Sequence, residues 1–304
     1  MVYKIITGSL FLLNTSMNTL VEKLSSHQQS TRNKWRHERP LSNHDWWMYL
    51  SLLFLVIGTL LMIPLGQKIE GVTVLGVGAL MTFGATRAYS RHALLIFLSI
   101  AIIGVAPIGT SIDLMHIISM GALIGLAVLI PFVVTRFLYK ESVIRFPIGR
   151  HTWTRGHVGY LLLACILSYL ILPYWMQTTG AYQNWVVEND PYHLFILFLG
   201  TNGLGIWDEL FFIVTVLALL KRHMPFHQAN LVQALLFTSF LYELGFRGWA
   251  PFIIYPFALL QGLVFRRTDN LVYIIAIHLT IDFVLYLALI NAHHPQLLNI
   301  FITR

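Results

Sequence analysis

The feature that most constrains this chain is a succession of long apolar segments parted by short polar ones. A window search places about nine of them, near residues 46–66, 71–86, 92–109, 114–138, 157–176, 192–220, 229–246, 249–265 and 270–290. Each reaches or approaches the roughly 20 residues a helix needs to cross a bilayer core. Only 11% of the 304 residues are charged and 57% are hydrophobic. A soluble domain carries about a quarter charged residues, so a water-exposed surface cannot be built from this composition. The expectation is an all-α, polytopic membrane protein of about eight to nine transmembrane helices, with its site in the last four. The second segment, GVTVLGVGALMTFG, is short and rich in glycine, so it spans only as a tightly packed or re-entrant helix. Cys165 is the single cysteine, which excludes an intramolecular disulfide, a Cys-based zinc site and a CxxC redox pair.

Charge placement orders these segments. Residues 1–45 read as a polar, basic tail with Arg32, Lys34, Arg36 and Arg39 close together, and residues 3–13 are apolar but too short to span. No small-residue cleavage site follows them, so a signal peptide is not expected. With the tail inside, the inner loops hold Arg87 and Arg91, the run from Arg136 to Arg155, Lys221 and Arg222, and Arg266 and Arg267. The outer loops hold Asp113, Glu188 and Asp190, with Arg247 as the exception. This is the asymmetry expected of a cytoplasmic N-terminus, and it accounts for the net charge of +7 without any nucleic acid. A basic loop near 139–156 divides an N-terminal transmembrane region, 46–156, from a C-terminal one, 157–304.

The C-terminal region holds nearly all the ionisable residues that fall inside apolar segments. The run GIWDELFF sets Asp208 beside Glu209, Glu243 lies in the next segment, and HLTID sets His278 four residues before Asp282. Each costs a few kcal/mol to bury in a bilayer and is a functional candidate by default. His278 and Asp282 share one helix face, because residues four apart lie one above the other. Counted from the inner ends of their segments the five differ in depth by roughly 10 Å or less, so they are able to converge on one polar site. The alternative is that these groups only bond to neighbouring helices and hold a bundle together. Gly203 and Gly205, just before the carboxylates, read as a close helix approach or a bend rather than a phosphate cradle. Trp46, Trp47 and Trp175 fall near segment ends and read as interfacial anchors.

WDELFF, followed by GLVFRRTDNLVYIIAIHLTID running into the last segment, resembles the CAAX-protease and bacteriocin-processing family of intramembrane proteases. The resemblance covers about residues 195–290. Members carry Glu-Glu-x-x-x-Arg on one helix, Phe-x-x-x-His on the next and His-x-x-x-Asn or Asp on a later one. Here His278-Leu-Thr-Ile-Asp282 matches the third motif, Asp208 stands at the first Glu and Glu209 keeps the second. Ile213 stands at the Arg, and Glu243 falls near the position of the second-motif His. The resemblance implies an intramembrane endopeptidase cutting a membrane-bound, prenylated or otherwise lipidated protein substrate, in a multi-pass protein of a prokaryotic cell membrane. It implies Asp208 as the base for water, Glu209 as its partner or substitute, Glu243 in the second-motif place, and His278 with Asp282 as the orienting pair. A desolvated carboxylate is a strong base for water once ionised, and an imidazole can hold that water or donate to the oxyanion.

A second class of reading keeps the lineage without hydrolysis: a binding or immunity protein, or an ion-binding membrane protein. In the last case Asp208, Glu209, Glu243 and His278 would hold a divalent metal such as Zn or Mn, which oxygen ligands with one imidazole suit. No other cofactor is implied.

Overall fold

The computed structural model describes residues 43–149 and 153–301, and from His44 onward they belong to one compact unit. The basic tail expected over 1–45 lies almost wholly outside the described residues. The described chain is helical, with a lone bridge between Ile148 and Asn270 and no strand. We number nine helices: α1 Asn43–Met62, α2 Lys68–Met81, α3 Arg87–Val105, α4 Leu114–Leu138, α5 Arg155–Thr179, α6 Pro191–Leu220, α7 Phe226–Glu243, α8 Pro251–Thr268 and α9 Leu271–His293.

Six of these, α1, α3, α4, α5, α6 and α9, are long and apolar enough to cross a membrane. The shorter or more polar α2, α7 and α8 pack among them, and the count of spanning helices stands at six by length and composition. The second segment, which the sequence leaves open, runs the length of α1: Gly71 abuts Met62 at one end, and Gly84, just past α2, abuts Trp47 at the other. At both places a Cβ would fall within 3 Å of its neighbour, so glycine lets the two helices touch.

Side-chain caps fix where the helices begin. Thr86, Asp113, Thr154, Asp190 and Asn270 each accept a hydrogen bond from a first-turn backbone N–H of α3, α4, α5, α6 and α9, satisfying donors a helix leaves open. The outward faces then carry lipid-compatible side chains such as Ile69, Leu80, Phe137, Leu162 and Phe252.

The bundle has two chemically different ends. One gathers Arg91, His92, Glu141 and His223, with Lys221 close to Asp269 and Arg145, and Arg266 over the Phe226 ring. At the other, Thr110 donates to the Asn184 carbonyl, Asn184 donates to that of Gly245, and Trp175 donates to that of Arg247. Apart from Lys68 and Arg247, the described basic residues of the connections cluster at the first end, as the alternation of segments requires.

Candidate functional site

The site begins with a change of helical register. The α-helical part of α6 ends at Asp208, and Glu209–Leu217 forms a π-helix before α-helix resumes. Thr215 Oγ1 donates to the Leu210 carbonyl five residues back at 2.9 Å, the register of a π turn. Such turns frequently mark functional sites. Here the change falls between the two adjacent carboxylates.

Both carboxylates are buried and both face one imidazole. His278 Nδ1 lies 2.8 Å from Glu209 Oε1, while Nε2 lies 3.8 Å from Asp208 Oδ2. Asp282, one turn beyond His278 on α9, brings Oδ1 to 3.8 Å from the same Nε2. The hydrogen bond to Glu209 sets the plane of the ring, and the ring then turns Nε2 toward the other two carboxylates. Four of the five residues singled out by the sequence therefore share one site.

Glu243 does not meet them. It ends α7, partly buried, with no hydrogen bond or ion pair to the other four. The α7 side chain against His278 is Phe237, with ring centroids 5.9 Å apart, and Phe257 of α8 meets the same ring edge-on at 5.6 Å. Six residues of helix separate Phe237 from Glu243, roughly 9 Å of rise. Matching depths along the helices do not bring Glu243 to the site, because it is Phe237 that α7 sets against His278.

Residues outside the motifs complete the arrangement. Gln261 of α8 donates from Nε2 to Glu209 Oε1 at 2.8 Å and to the Ile274 carbonyl at 3.3 Å. Glu209 Oε1 thus sits between an amide and an imidazole. The signal in the sequence was a lone amide inside FALLQGLVF, where every neighbour is apolar or glycine. Gly205 makes room for Asp282, since a Cβ there would lie 1.9 Å from Asp282 Oδ2. Gly203 has no such neighbour, so of the two glycines only Gly205 carries a close approach. Trp207 Nε1 donates to the Ile124 carbonyl at 2.7 Å and ties this turn of α6 to α4.

The catalytic candidates open on a cavity of about 540 Å³. Asp208, His278 and Asp282 line it, whereas Glu209 lies behind the imidazole. Most of its wall is apolar, from α5, α6, α8 and α9, and a few such polar groups in a greasy pocket suit orientation of a bound chain. Asp208 Oδ1 and Asp282 Oδ2 are buried without a protein hydrogen-bond partner, unpaired acceptors beside the imidazole.

The metal reading fits this geometry poorly. Among the described residues the acidic and imidazole set whose ligand atoms lie within 4.8 Å of one another is Glu188, Asp190 and His193, away from the cavity. Asp190 caps α6 through the amides of Tyr192 and His193, which explains that cluster without an ion. Asp208, Glu209, Glu243 and His278 do not form such a set.

Residues 190–284 match the family model described as Type II CAAX prenyl endopeptidase Rce1-like. No curated protein and no solved structure matches the chain. The matched stretch begins at the cap of α6 and ends just past Asp282, so it contains every residue of the site built above. The stretch 190–284 is thus similar to the Rce1-like type II CAAX prenyl endopeptidases, and within it Asp208, His278 and Asp282 line one cavity with Glu209 behind the imidazole.

Proposed function

We propose that the chain hydrolyses a peptide bond in a membrane-bound or lipidated substrate, using water activated at Asp208. The observation that carries the proposal is the presentation of His278 Nε2 to the cavity between Asp208 and Asp282, with Nδ1 held by Glu209. Asp208 takes a proton from water, and the hydroxide adds to the scissile carbonyl. His278, its ring fixed by Glu209, holds the water and donates from Nε2 to the oxyanion. Collapse of the adduct returns the proton from Asp208 to the leaving amine, giving an acid and an amine. Asp282, one turn along α9 from His278, keeps the imidazole aligned. The excess of Lys and Arg at one end supports a cytoplasmic position for that end and for the N-terminus, and the family resemblance supports a prokaryotic cell membrane.

The test compares purified wild type with Asp208→Asn and His278→Ala on a panel of lipidated and unlipidated membrane peptides. General acid–base groups contribute about 10²- to 10⁴-fold, so each variant should lose at least about 10² in turnover. Equal turnover by His278→Ala removes the residue from the mechanism and sinks the proposal.

Phe237 favours a second reading, because it fills the α7 position against His278 with a side chain that handles no protons. A family member without hydrolysis would then use the cavity to bind its peptide or lipid partner. Absence of turnover by wild type across the panel, with retained binding of one peptide, would select it.

A further inference from the structure

A second pocket lies at the end of the bundle away from the basic loops, where the last turns of α5 and α9 meet the segment after α9. It has a volume of about 420 Å³, within the roughly 300–1,000 Å³ of ligand pockets. Its walls are Gln177 of α5, Asn291 and Ala292 of α9, and Pro295 and Asn299 beyond. Gln177 lies two residues past Trp175, which lines the cavity of Asp208 and His278, so it projects about 200° round α5 from it. The two spaces therefore lie on different sides of that helix.

The walls of this pocket are tied down at several points. His293 donates from Nε2 to the Tyr182 carbonyl at 3.1 Å, and His294 from Nε2 to that of Val187 at 3.0 Å, which fixes the end of α9 to the α5–α6 connection. The Leu297 amide donates to the His294 carbonyl at 2.9 Å and turns the chain back along α5. About two turns before Gln177, Tyr169 Oη donates to the Ile300 carbonyl at 2.6 Å, and its ring stacks on buried Phe301 with centroids 5.0 Å apart.

Three carboxamides line the pocket and, among the described residues, no ionisable side chain does. None of the three has a hydrogen-bond partner among the described residues, although Asn291 is only 8% exposed. A buried amide left unpaired costs free energy that a bound hydroxyl would offset. The terminal torsion of Asn is broad, so either end of that amide can turn to the pocket. An ion would meet no counter-charge here, whereas a hydroxyl, itself donor and acceptor, matches each amide. Beside the pocket, Tyr174, one turn before Gln177, and Leu297 and Ile300 are exposed, a surface that suits lipid chains.

We infer that this pocket binds the uncharged, hydroxylated head group of a membrane lipid, a sugar or a glycerol group, with the acyl chains over Tyr174, Leu297 and Ile300. The lipid is not a substrate, since Asp208 and His278 line the other cavity, and it binds whether or not the chain hydrolyses a peptide.

The test uses the full chain purified in an amine-oxide detergent, because glycoside detergents carry a sugar head group themselves. A monoglucosyl diacylglycerol is titrated in, and bound lipid is counted by native mass spectrometry. Phosphatidylcholine with the same chains should bind at least about tenfold more weakly, as it lacks the hydroxyls that pair with the amides. Asn291→Leu and Asn299→Ala should each weaken binding of the glucosyl lipid at least about fivefold, roughly what one lost hydrogen bond is worth. Asn299 is exposed, so its replacement does not threaten the fold. Without lipid, the thermal midpoint of Asn291→Leu should equal or exceed that of wild type, because the buried Oδ1 has no partner to lose. A lower midpoint would show that Asn291 serves the fold and overturns its part in the pocket. Equal binding of phosphatidylcholine overturns the head-group assignment, and methyl glucoside binding as tightly as the glucosyl lipid overturns a lipid as its source. Undiminished binding by both variants places the lipid elsewhere and overturns the site.

Discussion

Glu209 Oε1 is held at 2.8 Å by Gln261 Nε2 and at 2.8 Å by His278 Nδ1, so the amide decides which way the carboxylate faces the ring. Gln261→Leu removes that donor at nearly constant volume. We expect turnover to fall about tenfold with KM little changed, because an outer partner of a site residue is worth roughly 10- to 100-fold. Gln261→Asn, one methylene shorter, should restore little, and recovery with Gln261→His would show that a donor is what matters. Gly205→Ala acts on the other side of the site. Its methyl would occupy the place of Asp282 Oδ2, so Asp282 must swing away or α6 and α9 must part. The expected outcome is loss of at least about 10² in turnover, as a misplacement of about 1 Å can cost that much. A thermal midpoint close to wild type, measured in detergent, would locate the damage in Asp282 rather than in the bundle.

Among the elements, α6 carries a π segment inside its length, Glu209–Leu217, whereas the π segment of α4 is confined to its last five residues, Val134–Leu138. Removing one residue from Phe211–Val214 should restore α register. The part of α6 after the deletion would turn by about one residue, 100° on a helix of 3.6 residues per turn, against whatever holds it. Since Trp207 anchors the preceding turn to Ile124, the helix after Glu209 must take up the rotation. We expect such a deletion to abolish turnover, while a deletion in the exposed loop at Ser142 does not. The connection after α6 makes a second prediction. His223 Nε2 lies 2.8 Å from His92 Nδ1, and Glu141 holds the far nitrogen of His92 at 3.0 Å. Burial pulls the His223 imidazole down to about 4, and the neighbouring His92 and Arg222 act in the same direction. The folded protein therefore keeps His223 neutral where the unfolded chain, titrating near 6.5, takes a proton. Stability from this group is complete above about pH 6.5 and is lost as pH falls from 6.5 toward 4. The loss is no more than about 1.4 kcal/mol per pH unit for one proton. Thermal midpoints measured across that window should decline less steeply for His223→Gln than for wild type.

At the scale of the whole molecule, the nine described helices pack so that loop charge collects at one end while the cavity lining runs to the loops at the other. This explains why so many large apolar side chains are exposed on α4, α5 and α8 without forming a core of their own. It also predicts how the protein behaves when the bilayer is removed. Delipidation in a short-chain detergent should inactivate it, and added phospholipid should restore turnover, because the exposed apolar faces of α4, α5 and α8 have no protein neighbour to cover them. Turnover that survives complete delipidation would show that these faces need no lipid to hold the site.

Much of this was legible from residue order alone. Long apolar runs mark helices because a bilayer leaves backbone groups no other partner, and all nine segments begin and end within five residues of the described helices. The pairing of Asp208–Glu209 with His278–Asp282 was legible too, since charge buried in apolar sequence has few reasons to persist. What the sequence left open is what depends on rotation about helix axes. It could not exclude Glu243, which ends α7 six residues beyond Phe237, nor could it show that Phe237 takes the place against His278. It could not find Gln261 as the partner of Glu209, or assign Glu209 behind the ring and Asp208 in front of it. Segments and their contents follow from hydrophobicity and spacing, which are local. Which side chains meet follows from helix packing and from a single π turn, and those are settled only when all the helices are in place.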